Sequence, residues 1–136
     1  NELGEHKGLQ YYTLGQRQGI GIGGKKGSNN DPWYVASKNI KTNTLTVVQG
    51  NNHPLLFSKE LITRNKFLLS DDIGKEFKGT AKVRYRQEDQ ECNVKIDGNK
   101  ILVRFAEPQR AVTPGQSVVI YHENECLGGG EIESIN

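Results

Sequence analysis

The sequence is poor in the residues that would indicate a disulfide-bonded, metal-binding or membrane-spanning protein. Its 136 residues include no methionine, one tryptophan and two cysteines, and Cys92 and Cys126 form no C-x-x-C motif. This pattern is neither a disulfide framework nor a zinc site, so each thiol is interpreted as a small buried hydrophobe. No apolar run approaches the roughly 20 residues that cross a bilayer, and no signal peptide is present. We therefore expect a cytoplasmic protein, and the start without a methionine predicts a piece of a longer chain.

The composition favours a β protein with local rather than general affinity for anions. Apolar residues make up 34%, charged residues 25%, and there are 16 glycines, which indicates many turns and short strands. The length suits one domain, or a small domain with a subdomain. The formal net charge of only +2 excludes a strongly basic nucleic-acid-binding domain, so RNA could be bound only through a local patch.

A glycine-rich segment follows the first 18 residues. Residues 19–24 formally match G-x-G-x-x-G, but the turn signal at 29–32 stands where a dinucleotide-binding fold needs a helix. We therefore reject a Rossmann fold and predict a flexible basic loop whose Lys25 and Lys26 could bind an anion. Before this loop, the sequence predicts a short helical turn around Leu9–Gln16.

The rest of the chain predicts strands separated by turns. Pro32–Ser37 and Thr44–Val48 form a predicted hairpin, and the break at 49–54 predicts a boundary between domains 1–53 and 54–136. Asp97-Gly98-Asn99 is a strong hairpin turn. Six further strands are predicted: Glu60–Leu68, Gly79–Gln87, Glu91–Ile96, Ile101–Phe105, Val118–Tyr121 and Gly130–Ile135. The predicted fold is mainly β, with a small β-hairpin subdomain followed by a roughly six-stranded antiparallel β-barrel.

The stretch from Ala81 to Cys92 alternates like a strand and carries most of the candidate chemistry. Arg84 and Arg86 would share one face, with Tyr85 on the other. Guanidiniums suit phosphates, aromatic rings stack on unpaired bases, and the amide of Gln87 could read a base edge. The alternative is a solvated strand face with the tyrosine in the core.

Two glycine motifs have structural interpretations. Pro114-Gly115 predicts a type II turn in which the glycine supplies a positive φ. Gly128–Gly130 predicts a β-bulge or a tight corner of the barrel.

Taken in order, the motifs resemble a known family. They are G-x-H-x-G-L at 4–9, Y-T-x-G-Q-R-x-G at 12–19, P-W-Y-V at 32–35, R-Y-R-Q-x-D-x-x-C at 84–92, A-V-T-P-G-Q at 111–116 and C-L-G-G-G at 126–130. This set resembles the carboxy-terminal part of the tRNA-specific 2-thiouridylases, the MnmA family. The resemblance spans nearly the whole chain.

The resemblance implies a part of a tRNA-uridine 2-sulfurtransferase. In that family ATP, with Mg²⁺, activates the 2-oxygen of the wobble uridine, and a cysteine persulfide delivers the sulfur. The work is divided among an ATP-pyrophosphatase domain, a small central domain and a β-barrel, with a separate sulfur-relay donor protein. This chain would hold the central domain and the barrel.

The family's S-G-G-V-D-S phosphate loop is absent from this sequence. The resemblance also leaves its catalytic cysteine pair without counterparts here, because Cys92 and Cys126 match barrel positions. We therefore expect no catalytic residue, no metal site and no cofactor in this chain, and no activity of the chain alone.

The resemblance also implies binding residues for the anticodon arm of tRNA. Arg84 and Tyr85 match barrel positions that contact tRNA in the family, and Gln116 matches another. Gln16, Arg17, Lys25 and Lys26 are further candidates, although domain packing would explain them equally well.

Two other functions remain open from the sequence. A protein-docking module for the catalytic domain or the sulfur donor would need an exposed apolar patch, around Trp33-Tyr34 or Leu55–Phe57. A free-standing thiol enzyme would need a cysteine with a lowered pKa.

Overall fold

The structure is a computed structural model that describes residues 2–17, 20, 31–69, 74–84 and 86–136. It contains two compact units, Asn1–Phe57 and Ser58–Asn136. The described elements are two single-turn 3-10 helices, Leu9–Tyr11 and Pro54–Leu56, and eight strands: β1 Trp33–Asn39, β2 Thr44–Gln49, β3 Phe57–Leu68, β4 Glu76–Lys82, β5 Gln90–Asp97, β6 Lys100–Arg110, β7 Ser117–His122 and β8 Glu125–Ile135.

The first unit is organised around the β1–β2 hairpin, as predicted. The two strands pair antiparallel from Trp33 opposite Gln49 to Asn39 opposite Thr44. The turn between them includes Asn43 at a φ of 52°, a left-handed conformation that asparagine tolerates better than most residues. Ala36, Val48 and Leu56 form a small buried cluster at the hairpin.

The predicted helical turn around Leu9–Gln16 is shorter than expected. Only Leu9–Tyr11 is helical. Gly15 follows at a φ of 84° in a reverse turn closed by a hydrogen bond from the Gln16 N–H to the Thr13 carbonyl, 3.0 Å. A positive φ at Gly15 is incompatible with a continuing helix.

The second unit is a closed six-stranded barrel, which confirms the predicted fold class. The strands follow one another around the barrel in the order β3-β6-β5-β4-β7-β8. Among the described residues, five pairs of neighbouring strands are antiparallel and hydrogen-bonded, including β4 with β7 and β3 with β8. Closure leaves no strand edge available for uncontrolled pairing.

The core of the barrel is formed by the apolar residues that alternate with polar ones along the strands. Cys92 lies opposite Phe105 and Val94 opposite Val103, so the inward faces of β5 and β6 coincide. The main buried cluster is Leu61, Ala81, Val83, Cys92, Val94, Ile101, Val103, Phe105, Val112, Val118, Ile120 and Ile132. A one-residue slip of either strand would turn its apolar set towards water, which fixes the register. The predicted Asp97-Gly98-Asn99 turn joins these strands, with Gly98 at a φ of 59°.

Several strand predictions were wrong in their extent: β6 continues to Arg110 beyond the predicted end at Phe105, β8 begins at Glu125 before the predicted start at Gly130, and β4 ends early. The sequence predicts a strand to Gln87, but β4 ends at Lys82. The Gln87 side chain explains the early end, because its Oε1 accepts a hydrogen bond from the Val83 N–H, 2.9 Å. The Gln87 N–H also bonds the Arg84 carbonyl, 3.2 Å. These local bonds replace those that a continuing strand would make.

The glycines of β8 allow three strands to approach closely. A Cβ on Gly129 would overlap the Val118 carbonyl of β7, and one on Gly128 would overlap the Phe67 carbonyl of β3. The β7–β8 register shifts between Ile120 and Tyr121, which agrees with the predicted bulge. The barrel therefore closes at glycines, which have no side chain to hold the strands apart.

Gly129→Ala is expected to lower the free energy of unfolding by about 1–3 kcal/mol or more, because the new methyl group must displace backbone. The matched control is Gly74→Ala, whose Cβ would meet its nearest heavy atom at 3.9 Å. Urea titrations of both variants measure the effect. Equal urea midpoints for the two variants would contradict the close approach of Gly129 to the Val118 carbonyl.

Candidate functional site

Two loops meet at one end of the barrel. Residues 83–89 connect β4 to β5, and residues 111–116 connect β6 to β7. Lys82, at the end of β4, pairs with Val119 near the start of β7, and β5 begins beside the last residues of β6 in the antiparallel register. Both loops therefore lie at the same end, which we call the loop end.

Arg84 links the two loops. Its Nη2 donates to the Arg110 carbonyl, 3.0 Å, and to the Ala111 carbonyl, 2.9 Å. Ala111 is buried and has a φ of 55°, a conformation that costs a non-glycine residue about 1 kcal/mol or more. The Thr113 hydroxyl donates to the same Ala111 carbonyl, 3.0 Å. The guanidinium thus stabilises an unusual stretch of backbone in the neighbouring loop.

Three glutamine side chains hold the base of the first loop. The Gln87 Nε2 donates to the Gln109 Oε1, 2.8 Å. The Gln109 Nε2 donates in turn to the Gln90 Oε1, 3.1 Å, and to the Glu107 carbonyl, 2.9 Å. Gln109 is only 6% exposed, so these bonds satisfy polar atoms that burial would otherwise penalise.

Gln109 and Gln90 were missed by the sequence reasoning. Part of the signal was present for Gln109, because it lies in register with the inward-facing Ile101, Val103 and Phe105 of β6, although Glu107 between them is exposed. A polar side chain in an inward register needs a partner. Its partners are 19 and 22 positions away in sequence, so the pattern alone could not identify them.

The other two basic side chains of this stretch differ in their contacts. Lys82 forms an ion pair with Asp89, 3.2 Å, and its Nζ lies 5.4 Å from the centre of the Tyr121 ring. Arg86 is exposed, and within the described part of the chain it makes no hydrogen bond or ion pair. The loop end therefore presents two exposed guanidiniums, Arg84 and Arg86, and only Arg84 has hydrogen-bond partners among the described residues.

Gln116 closes the predicted type II turn of the second loop. Its N–H donates to the Thr113 carbonyl, 3.2 Å, and Gly115 has a φ of 94°, so the turn prediction is confirmed. The Gln116 carbonyl accepts from the Ile132 N–H, 2.7 Å, which ties the turn to β8. The Gln116 Oε1 is shielded and has no hydrogen-bond partner among the described residues. Arg84 and Gln116 are thus on loops at the same end of the barrel.

The other predicted binding residues fall in the first unit or outside the described residues. Gln16 fixes a turn, because its Oε1 accepts from the Thr13 N–H, 2.9 Å, and its carbonyl accepts from the Val35 N–H, 2.9 Å. Arg17 is exposed in the same unit. Tyr85, Lys25 and Lys26 lie outside the described residues.

A shallow concavity of about 680 Å³ lies on the strands β4, β5 and β6. Lys59, Lys78 and Arg104 line it together with Glu91 and Glu123, and Arg104 is paired with Glu60 at 3.2 Å. Charges of both signs give the concavity no preference for anions. It is a weaker candidate than the loop end.

Cys92 does not resemble an activated nucleophile. Cys92 points into the barrel core, and burial raises the pKa of its thiol to about 11, whereas a nucleophilic cysteine needs a lowered pKa. Cys126 is a free, half-buried thiol. Among the described residues, no three His, Cys, Asp or Glu side chains form a group that could hold a metal ion. In the same part of the chain, no helix has the length and apolar character needed to span a membrane.

Comparison with known proteins gives consistent matches over both units. Residues 58–132 match the family described as the aminomethyltransferase β-barrel domain, and residues 1–49 match the tRNA methyl transferase PRC-barrel domain. The chain is 52% identical over 133 residues to the tRNA-specific 2-thiouridylase MnmA of Pseudomonas entomophila, covering 97% of this chain and 36% of the relative. It is 52% identical over 132 residues to the same protein of Pseudomonas fluorescens, covering 96% and 35%. The chain therefore spans about a third of the length of the curated relatives it matches.

The buried position of Cys92 predicts a distinct dependence on pH. Below about pH 9 the thiol is protonated in both states, and its burial contributes fully to stability. As the pH rises from about 9 to about 11, the unfolded thiol ionises and the buried one does not, so the free energy of unfolding falls. Urea titrations at pH 8 and pH 10.5 should show a smaller decrease for Cys92→Ala than for the unsubstituted protein. Equal decreases would show that Cys92 ionises as readily in the folded state.

Proposed function

The chain belongs to the MnmA family of tRNA-specific 2-thiouridylases, and we propose that it is the part of such an enzyme that binds and positions tRNA. The observation that carries this proposal is the loop end, where the exposed Arg84 and Arg86 and the half-buried Gln116 lie on two loops joined by hydrogen bonds. Guanidiniums bind phosphates, and an amide can bind either a phosphate or a base edge.

The rigidity of the loop end supports a binding role. The bonds from Arg84 and among the three glutamines fix the loop backbone before any ligand arrives. Association then loses less conformational entropy than it would with a mobile loop. This matters for an enzyme that acts on a base in the anticodon arm, because extruding a base from its stack costs a few kcal/mol. Contacts to the RNA backbone have to offset that cost.

Residues 1–53 would correspond to the central domain of the enzyme, and residues 54–136 to its barrel. A boundary close to this point is supported by the division of the structure after Phe57. It is also supported by the family matches, which end at residue 49 and begin again at 58.

We propose that ATP and Mg²⁺ are not bound by this chain. The sequence has no S-G-G-V-D-S loop, and the described residues contain no group of three acidic, histidine or cysteine side chains for a metal. We therefore propose that activation of the uridine takes place in a catalytic ATP-pyrophosphatase domain outside the sequence given, with sulfur supplied by a relay donor protein. On this proposal, the chain alone transfers no sulfur and acts in the cytoplasm only as part of the larger enzyme.

The alternative, a protein-docking module, has less support. Of the residues that would form its apolar patch, Leu56 is buried, while Trp33, Tyr34 and Phe57 are half-buried. Leu55 is 60% exposed, but one side chain is no patch. Docking of a protein would also be insensitive to substitution of Arg84.

The proposal predicts salt-dependent binding of the 136-residue chain to an anticodon stem-loop RNA. With about three phosphate contacts, affinity should fall about 20- to 40-fold between 50 and 200 mM salt. Arg84→Ala should weaken binding at both salt concentrations. Fluorescence anisotropy with a labelled stem-loop measures both effects.

The matched control is Lys95→Gln, which removes an exposed charge from β5 near the opposite end of the barrel. It should bind like the unsubstituted protein. Absence of binding at both salt concentrations would place recognition in the rest of the enzyme. Equal losses in Arg84→Ala and Lys95→Gln would indicate attraction by overall charge instead of a defined surface.

A further inference from the structure

Part of the outer wall of the barrel is apolar and faces water. Phe67, near the end of β3, is 51% exposed, and Leu69, just beyond that strand, is 67% exposed. Leu68 between them packs against the buried core. Because successive side chains of an extended chain point to opposite faces of a sheet, Phe67 and Leu69 share the outward face.

The neighbouring strands extend this apolar surface. The Leu69 N–H donates to the Leu127 carbonyl, 3.0 Å, which places half-buried Leu127 of β8 beside it. Phe67 pairs with Gly129 of β8, and Gly129 pairs in turn with Val119 of β7. The residues on either side of Val119 are buried while Val119 is half-buried, so it also faces outward. We call Phe67, Leu69, Val119 and Leu127 the outer patch.

The cations that border the outer patch favour a protein over RNA as its partner. The Arg64 Nη2 lies 3.0 Å from the Glu131 Oε1, beside the patch in the pairing of β3 with β8. Lys82, beside the patch in the pairing of β4 with β7, forms an ion pair with Asp89, 3.2 Å. One further lysine, Lys66, is half-buried. RNA affinity comes mainly from cations that neutralise phosphates, and little positive charge beside the patch is left for that purpose.

Most of the outer patch lies away from the loop end. The loop end is where β4 and β6 end and where β5 and β7 begin. Since β7, β8 and β3 are successive antiparallel neighbours, β3 ends and β8 begins towards the other end of the barrel. Phe67, Leu69 and Leu127 belong to those segments. A partner that covers them therefore does not have to cover the loop end.

The size of the outer patch indicates a partner in the same polypeptide. Two exposed and two half-buried side chains present roughly 300 Å² of apolar surface. A stable complex of separate proteins buries about 800 Å² on each partner. A smaller contact suffices between domains of one polypeptide, because their linkage gives a high effective concentration. This chain covers only 36% and 35% of the two relatives, so about two thirds of their length lies outside it.

From these observations we infer that the outer patch docks an apolar surface of the catalytic domain in the same enzyme. The inference rests on the proposed function, because that proposal places a catalytic domain outside the sequence given. It adds a second surface to that function. The loop end binds RNA, and the outer patch fixes the barrel relative to the domain that carries out the chemistry. Such positioning matters because small misplacements of a substrate are costly in rate.

The first experiment uses the full-length enzyme that contains this chain, with photoreactive benzoylphenylalanine in place of Leu69. Irradiation in the presence of tRNA and the sulfur donor should cross-link position 69 to the catalytic domain of the same polypeptide, as identified by mass spectrometry. The matched control carries the same group in place of Lys95, which is exposed on β5, and should give no cross-link to that domain. The inference would be overturned by equal cross-linking from both positions or by none from position 69. A cross-link from position 69 to a second copy, to residues 1–53, to tRNA or to the sulfur donor would also overturn it.

The second experiment tests whether the contact matters for the enzyme. In the 136-residue chain, Leu69→Glu should change the melting temperature by less than about 2 °C, because the side chain faces water there. The affinity of that variant for the stem-loop should also be unchanged. In the full-length enzyme Leu69→Glu should lower sulfur transfer several-fold, because a carboxylate is poorly tolerated in an apolar contact, whereas Lys95→Glu should not. Unchanged sulfur transfer in Leu69→Glu would contradict a docking role for the outer patch.

The outcomes also separate this inference from the proposed function. Cross-linking of position 69 to the catalytic domain, together with failure of the 136-residue chain to bind the stem-loop, would leave the docking role standing and overturn tRNA binding by this chain. Salt-dependent binding of the stem-loop without the cross-link would do the reverse.

Discussion

Closure of the barrel at β8 is the constraint on which the rest of the second unit depends. β8 pairs with β7 on one side and β3 on the other, and glycines at 128 and 129 allow those backbones to come close. In the closed sheet β7 pairs with β4 while β6 pairs with β5, so the connection from β6 to β7 passes the end of β4. The loops that follow β4 and β6 can then be joined by hydrogen bonds. The geometry of the loop end is thus a consequence of how the sheet closes.

The interior of the barrel and its loop end are stabilised by different forces. The core is apolar and gains from burial, while the loop end is held by amides and a guanidinium that bond to backbone. Such polar contacts add little net stability, but leaving one of them unpaired is costly. They therefore specify one arrangement of the loops more than they strengthen the fold. A surface that has to present a side chain in a defined place benefits from this kind of specificity.

The fold could be predicted from sequence where local patterns determine it. The alternation in β5 and β6, the turn at Asp97–Asn99 and the type II turn at Gly115 are all encoded by neighbouring residues. The end of β4 could not be predicted, because the alternation continues beyond Lys82 while the Gln87 side chain takes the Val83 N–H. The glutamine contacts were also inaccessible, because they join residues from different strands. Hydrogen bonds between side chains that are far apart in the sequence produce no periodic pattern in it.

The same limit applies to the roles of the two arginines. In the sequence Arg84-Tyr85-Arg86 they look equivalent, and the resemblance to the family points to Arg84 as a contact of tRNA. Both side chains are exposed, but the structure gives Arg84 two carbonyl partners and gives Arg86 none among the described residues. A residue can be essential to a binding surface because it touches the ligand or because it holds the residue that does. A guanidinium serves both purposes well, since its several donors can satisfy carbonyls as readily as phosphates. The carbonyls that Arg84 bonds lie in the neighbouring loop, which a motif confined to residues 84–92 does not include.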